Sequence, residues 1–264
     1  MKILFIGDIV GRGGREMVKR ILPELCKEEA PDFVIANAEN LTHGNGFTPG
    51  HIKEMIDAGV NFFTTGNHVW NNASGVEMLD SPECPVIRPY NYPGKETPGK
   101  GYKIIEDNSG KKLLVINLMG QVFMKHHLRS PFECLDEIFS EVDYDDLSAV
   151  FIDFHAEATS EKMTLAHYVD GKVSAFVGTH THVPTADAQI LPGGSGYITD
   201  AGMVGALDSI IGVKKELIIQ KFLTQRPVKH TPQNEGKMVF NAVLFEIDEE
   251  SKKALNVKHI QKIS

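Results

Sequence analysis

Short apolar runs alternate with helical segments over the first 67 residues, and this alternation limits the possible folds more than any other feature. The apolar runs, which are predicted strands, are KILFIG, DFVIANAE and NFFTTGN. The helical segments between them are GREMVKRILPELCKEE, in which we expect Pro23 to kink or divide the helix, and TPGHIKEMIDAG, which Thr48 caps and Gly59 ends. Strands that alternate with helices predict a parallel sheet, and the loops at the carboxyl ends of its strands usually carry the functional side chains.

The rest of the chain continues this pattern after an irregular segment from Pro82 to Gly101. A hairpin is predicted at GYKIIEDNSGKKLLVINL, and a helix at PFECLDEIFSEV. Two buried strands, SAVFIDFHAE and VSAFVGTHTH, flank the helical segment EKMTLAHYV, and a β-rich tail follows. Two βα halves that share one core explain this layout. Because no repeat or long linker interrupts it, we expect a single domain over residues 1–264.

Composition narrows the possible partners and the compartment. The formal net charge of −8 argues against non-specific nucleic-acid binding and favours a small-molecule or protein partner. The three cysteines are scattered, which is typical of a reducing compartment. The opening run MKILFIGD is too short for a signal peptide, and no apolar stretch reaches the roughly 18 residues of a membrane span. We therefore expect a cytoplasmic protein without a membrane partner, and a homo-oligomer is compatible with the sequence.

Polar side chains stand where the predicted strands end. They are Asp8, Glu39 and Asn40, Asn67 and His68, His155, and His180 with His182. Neutral imidazole and carboxylate oxygen suit first-row divalent metals, and the lack of paired cysteines argues against a structural zinc site. Amide oxygen is a weaker ligand, so two asparagines in the set favour manganese or iron over tightly bound zinc.

The segment GTHTH and the acidic side chain of Glu39 together predict two ions. Alternate residues of an extended segment face the same side, so His180 and His182 are expected to enter one pocket and to bind different ions. The two oxygens of Glu39 would bridge ions about 3.5–4 Å apart. Taken singly, His155 could be a core histidine, Asp8 a helix cap and Asn67 a turn residue. Their common position at one sheet edge favours a metal site over these separate structural roles.

The motifs GDIVG, NAEN, GNH, DFHAEATSEK and GTHTHV, in this order over most of the chain, resemble the calcineurin-like metallophosphoesterases, and closely the bacterial YmdB-type phosphodiesterases. The resemblance implies an α/β fold, a four-layer α/β/β/α sandwich with mixed sheets. It also implies a binuclear metal centre that hydrolyses small phosphodiesters, notably 2′,3′-cyclic nucleotides.

Carried over position by position, the resemblance assigns a role to each motif residue. One metal would be held by Asp8, Glu39, Asn40 and His182, and the other by Glu39, Asn67, His155 and His180. His68 would be the proton donor. The superfamily's first motif is usually Asp-x-His, but Val10 stands here where that histidine is expected. Asn40 would substitute for it, and Glu39 would replace the usual bridging aspartate.

The implied mechanism uses two divalent or mixed-valence ions, iron or manganese, whose bridging hydroxide attacks phosphorus while His68 protonates the leaving alkoxide. One alternative is an oxidoreductase in which GDIVGRGG is a dinucleotide-binding loop and Glu39 binds ribose. Asp8 argues against this oxidoreductase, because a dinucleotide-binding loop needs uncharged backbone that can approach the phosphates closely. The later histidines would also have no role in it. The other alternative, a regulatory protein that keeps the metal site and acts through partners, stays open.

Overall fold

Two β-sheets pack face to face in the computed structural model, which describes residues 1–94 and 96–264. The strands in chain order are β1 (Lys2–Ile6), β2 (Asp8–Ile9), β3 (Phe33–Asn37), β4 (Phe62–Thr64), β5 (Tyr102–Glu106), β6 (Lys112–Met119), β7 (Ala149–His155), β8 (Ala175–Thr179), β9 (Gln189–Ile190), β10 (Gly196–Ile198), β11 (Met203–Ala206), β12 (Met238–Ile247) and β13 (Ala254–Ile263). The helices are α1 (Gly11–Glu29), α2 (Pro49–Asp57), α3 (Ala73–Leu79), α4 (Pro131–Glu141), α5 (Thr159–Val169) and α6 (Lys215–Thr224).

Both sheets mix parallel and antiparallel pairs. The first has the order β2-β11-β12-β1-β3-β4, with β13 paired along β12, and the second has the order β5-β6-β7-β8-β10-β9. Strands β1, β3 and β4 are parallel, as are β6, β7 and β8, so the carboxyl ends of each set lie at one edge. The predicted hairpin forms antiparallel β5 and β6, whereas the short strands β9, β10 and β11 were not predicted.

Three apolar clusters define the layers. Between the sheets, the ring centroid of Phe151 lies 5.3 Å from that of Phe5 and 6.1 Å from that of Phe245. On the outer face of the first sheet, α1 and α2 contribute buried side chains such as Leu22 and Met55. On the outer face of the second sheet, α4 and α5 pack in the same way. The molecule is therefore the four-layer α/β/β/α sandwich with mixed sheets that the resemblance implied.

Helix ends follow the sequence signals with one exception. Pro49 begins α2, and the Oγ1 of Thr48 accepts a hydrogen bond from the backbone N–H of His51, as a capping residue should. The expected division of α1 at Pro23 is wrong, because the helix runs unbroken to Glu29. Pro23 lies on the exposed side, where water can satisfy the carbonyl that it leaves without a partner. Within residues 1–94 and 96–264, no helix combines the length and the apolar character that crossing a membrane requires.

Candidate metal centre

The side chains predicted from the strand ends meet in one place. Glu39 and Asn40 follow β3, Asn67 and His68 follow β4, His155 ends β7, and Asp8 lies in β2 just after β1. His180 and His182 follow β8. Parallel strands bring these loops to one edge of the two sheets, so side chains that are distant in sequence come within hydrogen-bond distance of one another.

The potential ligand atoms fall into two groups that share Glu39. One group consists of Glu39, His155 and His180, and the other of Asp8, Glu39 and His182. Within each group the ligand atoms all lie within 4.8 Å of one another. Asn67 Oδ1 lies 3.2 Å from His155 Nε2 and so borders the first group, and Asn40 Nδ2 lies 3.0 Å from His182 Nε2 in the second. The acids and histidines thus divide as in the two ligand sets that the resemblance implies, and their binding of metal stays a prediction.

Asp8 gives the clearest test of whether these residues fit a cation. Its side chain is fully buried, and its Oδ1 has no hydrogen-bond partner among the described residues. Its Oδ2 accepts a hydrogen bond of 3.3 Å from the backbone N–H of His180. Burial raises the pKa of this carboxyl. Because a buried carboxylate oxygen without a partner is costly, the donor set fits a divalent cation at this position.

Glu39 and His155 form a buried acid–imidazole pair with 3.0 Å between Oε2 and Nε2. Burial alone would raise the pKa of the Glu39 carboxyl, but the imidazoles of His155 and His68 outweigh it and hold that pKa well below its usual range. Burial would likewise lower the pKa of His155, but the carboxylate of Glu39 outweighs it and raises that pKa to about 9. Metal ligands must be deprotonated, so metal binding at this pair would release the proton of His155.

His180 is ready to act as a neutral ligand. Burial and the adjacent His155 lower its pKa to about 3, so that its imidazole is uncharged at neutral pH. Its Nδ1 lies 3.0 Å from Nε2 of His155. Its Nε2 lies 3.0 Å from a carboxylate oxygen of Glu157, a residue that the sequence patterns did not single out. A carboxylate on the second ring nitrogen fixes the orientation of a ligating histidine.

The amide of Asn40 connects His68 to the metal ligands. Its Oδ1 lies 3.0 Å from Nδ1 of His68, and its Nδ2 donates to Glu39 Oε1 at 3.1 Å. In this orientation the amide positions His68, and the Nδ2 atom cannot bind a metal. A half turn of the amide would place Oδ1 toward Glu39 Oε1 and His182 Nε2 instead. Asn40 can therefore serve either as a ligand or as the group that positions His68, depending on the direction of its amide.

The GTHTH segment reaches the site differently from the prediction. Strand β8 ends at Thr179, and the next histidines have left-handed backbone, with φ of 95° at His180 and 67° at His182. The expected extended segment is therefore wrong, although each histidine does enter a different ligand group. Left-handed backbone is strained for residues other than glycine and persists only where the surroundings enforce it.

A buried ion pair holds this strained segment. Nζ of Lys162, on α5, lies 2.7 Å from Oδ2 of Asp200, and both side chains are 1% exposed. The same carboxylate oxygen accepts hydrogen bonds from the backbone N–H and the hydroxyl of Thr181, at 3.2 and 2.7 Å. Thr181 stands between the two histidines, so Asp200 fixes the segment at its centre.

A second buried carboxylate orients His155. Asp153 lies two residues before His155 on β7 and accepts hydrogen bonds from Thr179 Oγ1 at 2.7 Å and Asn37 Nδ2 at 3.0 Å. The same Thr179 Oγ1 lies 2.9 Å from Nδ1 of His155. Burial raises the pKa of Asp153 to about 6. This residue was not predicted from the sequence, although strand alternation places Asp153 on the same face as His155.

Gly66 permits the close approach of the ligands. A Cβ atom at this position would collide with Oε2 of Glu39 and with the imidazole of His155. The glycine of the GNH motif is thus required by packing against the ligands.

The site opens into a cavity of about 640 Å³. Glu39, Asn67, His68 and His180 line it, and so does Val10, which stands where the superfamily usually has a histidine. Lys229, His230 and Pro232, which follow α6, also line it. The volume lies within the usual range of small-molecule sites.

The dinucleotide interpretation of GDIVGRGG does not fit this geometry. The N–H of Gly11 donates to the carbonyl of Asn40, that of Gly13 to Asn234 Oδ1 and that of Gly14 to the carbonyl of Val10. A phosphate-binding loop needs such groups free to receive the pyrophosphate. Glu39, the proposed ribose ligand, instead faces the histidines.

Comparisons with known proteins agree with the fold. The family described as YmdB-like protein matches residues 4–260. A curated relative from Bacillus subtilis (strain 168), named 2′,3′-cyclic-nucleotide 2′-phosphodiesterase, is 46% identical over 98% of this chain and 96% of its own length. A solved structure of a hypothetical protein from Thermus thermophilus superposes with a TM-score of 0.92 at 40% identity, covering 100% of this chain and 99% of that one. A structure described as a novel phosphatase from Mycoplasma pneumoniae gives a TM-score of 0.92 at 35% identity, covering 100% and 93%.

Proposed function

The chain belongs to the YmdB-like protein family, and from this premise we propose that it is a metal-dependent phosphodiesterase that hydrolyses nucleoside 2′,3′-cyclic phosphates. The name of the Bacillus subtilis relative supports this substrate class and cleavage of the bond to the 2′-oxygen. In that reaction, the hydroxyl of water adds to phosphorus, the P–O2′ bond breaks, and the proton goes to the 2′-oxygen. The product is a nucleoside 3′-phosphate.

The observation that carries the proposal is the pair of ligand groups that share Glu39. Asp8, Glu39 and His182 would hold one ion, to which Asn40 would be a further ligand only with its amide oxygen turned away from His68. Glu39, Asn67, His155 and His180 would hold the other ion. The mixture of carboxylate, imidazole and amide donors favours manganese or iron. When bound, such ions lower the pKa of a coordinated water and neutralise charge on phosphoryl oxygens.

His68 is the proposed proton donor. Its Nδ1 faces the Asn40 amide oxygen at 3.0 Å, and its side chain is one-third exposed and lines the cavity. With Nδ1–H held by that oxygen, Nε2 is the nitrogen left to protonate the departing 2′-oxygen. Glu39 Oε1 lies 3.3 Å from the same Nδ1.

Hydrolysis of adenosine 2′,3′-cyclic phosphate tests the function. The wild-type protein is loaded with Mn²⁺ or Fe²⁺, and the product is identified by chromatography against the 2′- and 3′-phosphates of adenosine. We expect adenosine 3′-phosphate and loss of turnover in chelator. A loaded protein that binds metal but leaves this substrate intact would refute the proposed activity.

His68→Ala is the matched variant for the proton donor. We expect it to keep the metal content of the wild type and to lose about 10²–10⁴-fold in kcat, the usual contribution of a general acid. Metal content is measured by mass spectrometry on the same samples as the kinetics. Turnover at the wild-type rate would show that another group donates the proton.

We also propose that the protein acts in the cytoplasm and does not bind nucleic acids non-specifically. Cys26, Cys84 and Cys134, all within the described residues, form no disulfide, as is typical of proteins from a reducing compartment. The net charge of −8 opposes non-specific binding to a polyanion.

A further inference from the structure

A lysine side chain at the mouth of the metal cavity has no role in the proposed chemistry. Lys229 and His230 line the same cavity as Glu39 and His68, and both are exposed. Neither forms an ion pair within residues 1–94 and 96–264. In a chain of net charge −8, an unpaired lysine in a cavity built for an anion is a candidate ligand-binding group.

Hydrogen bonds hold the segment that carries this lysine across the mouth. The N–H of Lys214 donates to the carbonyl of Thr231 at 3.0 Å, and the N–H of Gln233 donates to that of Gly212 at 2.8 Å. On the other side, Asn234 Oδ1 accepts from the N–H of Gly13 at 3.0 Å. Lys229 therefore stands two residues from a fixed point of the chain.

Lys229, and not His230, supplies the charge. Burial, together with the nearby positive charge of Lys221, lowers the pKa of His230, so the neutral imidazole predominates at pH 7. The mouth thus presents one permanent positive charge beside a neutral imidazole that can donate or accept a hydrogen bond.

The chemistry of the proposed substrate indicates what this charge would meet. In a nucleoside 2′,3′-cyclic phosphate, the 5′-carbon and the base lie on the face of the ribose opposite to the cyclic phosphate. Glu39 is 1% exposed at the floor of the cavity, whereas Lys229 is exposed at its mouth. A substrate whose cyclic phosphate lies over Glu39 therefore directs its 5′-oxygen outward. The cavity of about 640 Å³ has room for a group attached there.

We propose that Lys229, assisted by His230, binds a phosphate on the 5′-oxygen of the substrate and makes the enzyme prefer 5′-phosphorylated 2′,3′-cyclic nucleotides. This inference rests on the proposed function. It concerns a second phosphate, distinct from the one that is hydrolysed.

The test compares kcat/KM for adenosine 2′,3′-cyclic phosphate with that for its 5′-phosphorylated form. We expect the wild type to prefer the phosphorylated substrate about 5- to 10-fold, the usual size of one partly exposed, charge-assisted contact. Lys229→Ala should bring the ratio to about 1, and Lys229→Glu should invert it, because a like charge then faces the phosphate. Lys237→Ala removes an exposed lysine that does not line the cavity and should keep the wild-type ratio.

A diribonucleotide that ends in a 2′,3′-cyclic phosphate distinguishes the two sources of a 5′-phosphate, a phosphorylated nucleotide and the end of an RNA chain. We expect it to be the poorer substrate, because its 5′-phosphodiester carries less charge than a monoester. A preference for the dinucleotide would overturn the assignment to a phosphorylated nucleotide. A wild-type ratio near 1, or a ratio unchanged in Lys229→Glu, would overturn the role of Lys229.

Binding of the products separates this inference from the proposed activity. Calorimetry with adenosine 3′,5′-bisphosphate and adenosine 3′-phosphate needs no turnover. We expect the bisphosphate to bind about 5- to 10-fold more tightly to the wild type and equally to Lys229→Ala. If this difference is found without hydrolysis, the activity is wrong and the anion site stands. Equal or undetectable binding of both products would refute the anion site.

Discussion

The buried ion pair between Lys162 and Asp200 gives the sharpest prediction about stability. Lys162→Met keeps the volume of the side chain but leaves the Asp200 carboxylate, 1% exposed, without its cation. Breaking one side of a buried pair costs about 3–5 kcal/mol. We therefore expect the free energy of unfolding to fall by about that amount.

A solvent-exposed pair in the same protein is the control. Lys215 and Asp208 are 2.6 Å apart, nearly the same separation as the buried pair, but their side chains are 43% and 73% exposed. Lys215→Met should change the free energy of unfolding by less than about 1 kcal/mol, because water screens this pair. Burial is the main difference between the two ion pairs.

The assay is urea unfolding of both variants and the wild type at pH 7 in chelator, so that metal binding does not add to stability. Lys162→Met should also bind metal more weakly, because Asp200 holds Thr181 between His180 and His182. A loss of stability below about 1 kcal/mol in Lys162→Met would refute the argument that this pair enforces the strained segment.

Three further predictions concern the metal centre itself. Glu39→Gln should lower the metal content from about two ions per chain to about one or fewer, measured by mass spectrometry, because an amide bridges two cations poorly; full occupancy would contradict the shared role of Glu39. Gly66→Ala should lower metal content and turnover together, since its Cβ would collide with Glu39 and His155; unchanged values of both would contradict this packing argument. In chelator, the free energy of unfolding should fall as the pH rises from about 6.5 to 9. The pKa of His155 is raised to about 9 in the folded state, so the bound proton stabilises the fold below the ordinary pKa of histidine. This stabilisation is lost as His155 releases its proton. His155→Gln, followed by urea unfolding over the same range, should flatten this slope, and an equal slope in both proteins would exclude His155 as its source.

Much of the fold could be predicted from the sequence because its signals are local. The strand runs, the Thr48 cap and the hairpin at residues 102–119 depend on near neighbours in the chain, and each forms as expected. Strands β9, β10 and β11 have only two to four residues, too few for a periodic pattern. Strand β11 also pairs with a strand distant in sequence, β12.

In the candidate site, too, features with local sequence signals could be predicted, and features that depend on distant contacts could not. Its polar residues could be found because each stands at the end of a predicted strand. The left-handed backbone of His180 and His182 could not be predicted from the sequence. It is held by the buried ion pair of Lys162 and Asp200, two residues that are 38 positions apart in the chain. Lys229 was missed for a similar reason, since only the folding of its segment across the cavity mouth brings it near Glu39.

The most direct test of the account is anomalous scattering from crystals of the metal-loaded protein. We predict two anomalous peaks, one on each side of the Glu39 carboxylate, the first within bonding distance of Asp8 and His182 and the second of His155 and His180. A single peak that Glu39 does not contact, or peaks remote from these histidines, would contradict the central claim that one shared carboxylate assembles a two-metal centre.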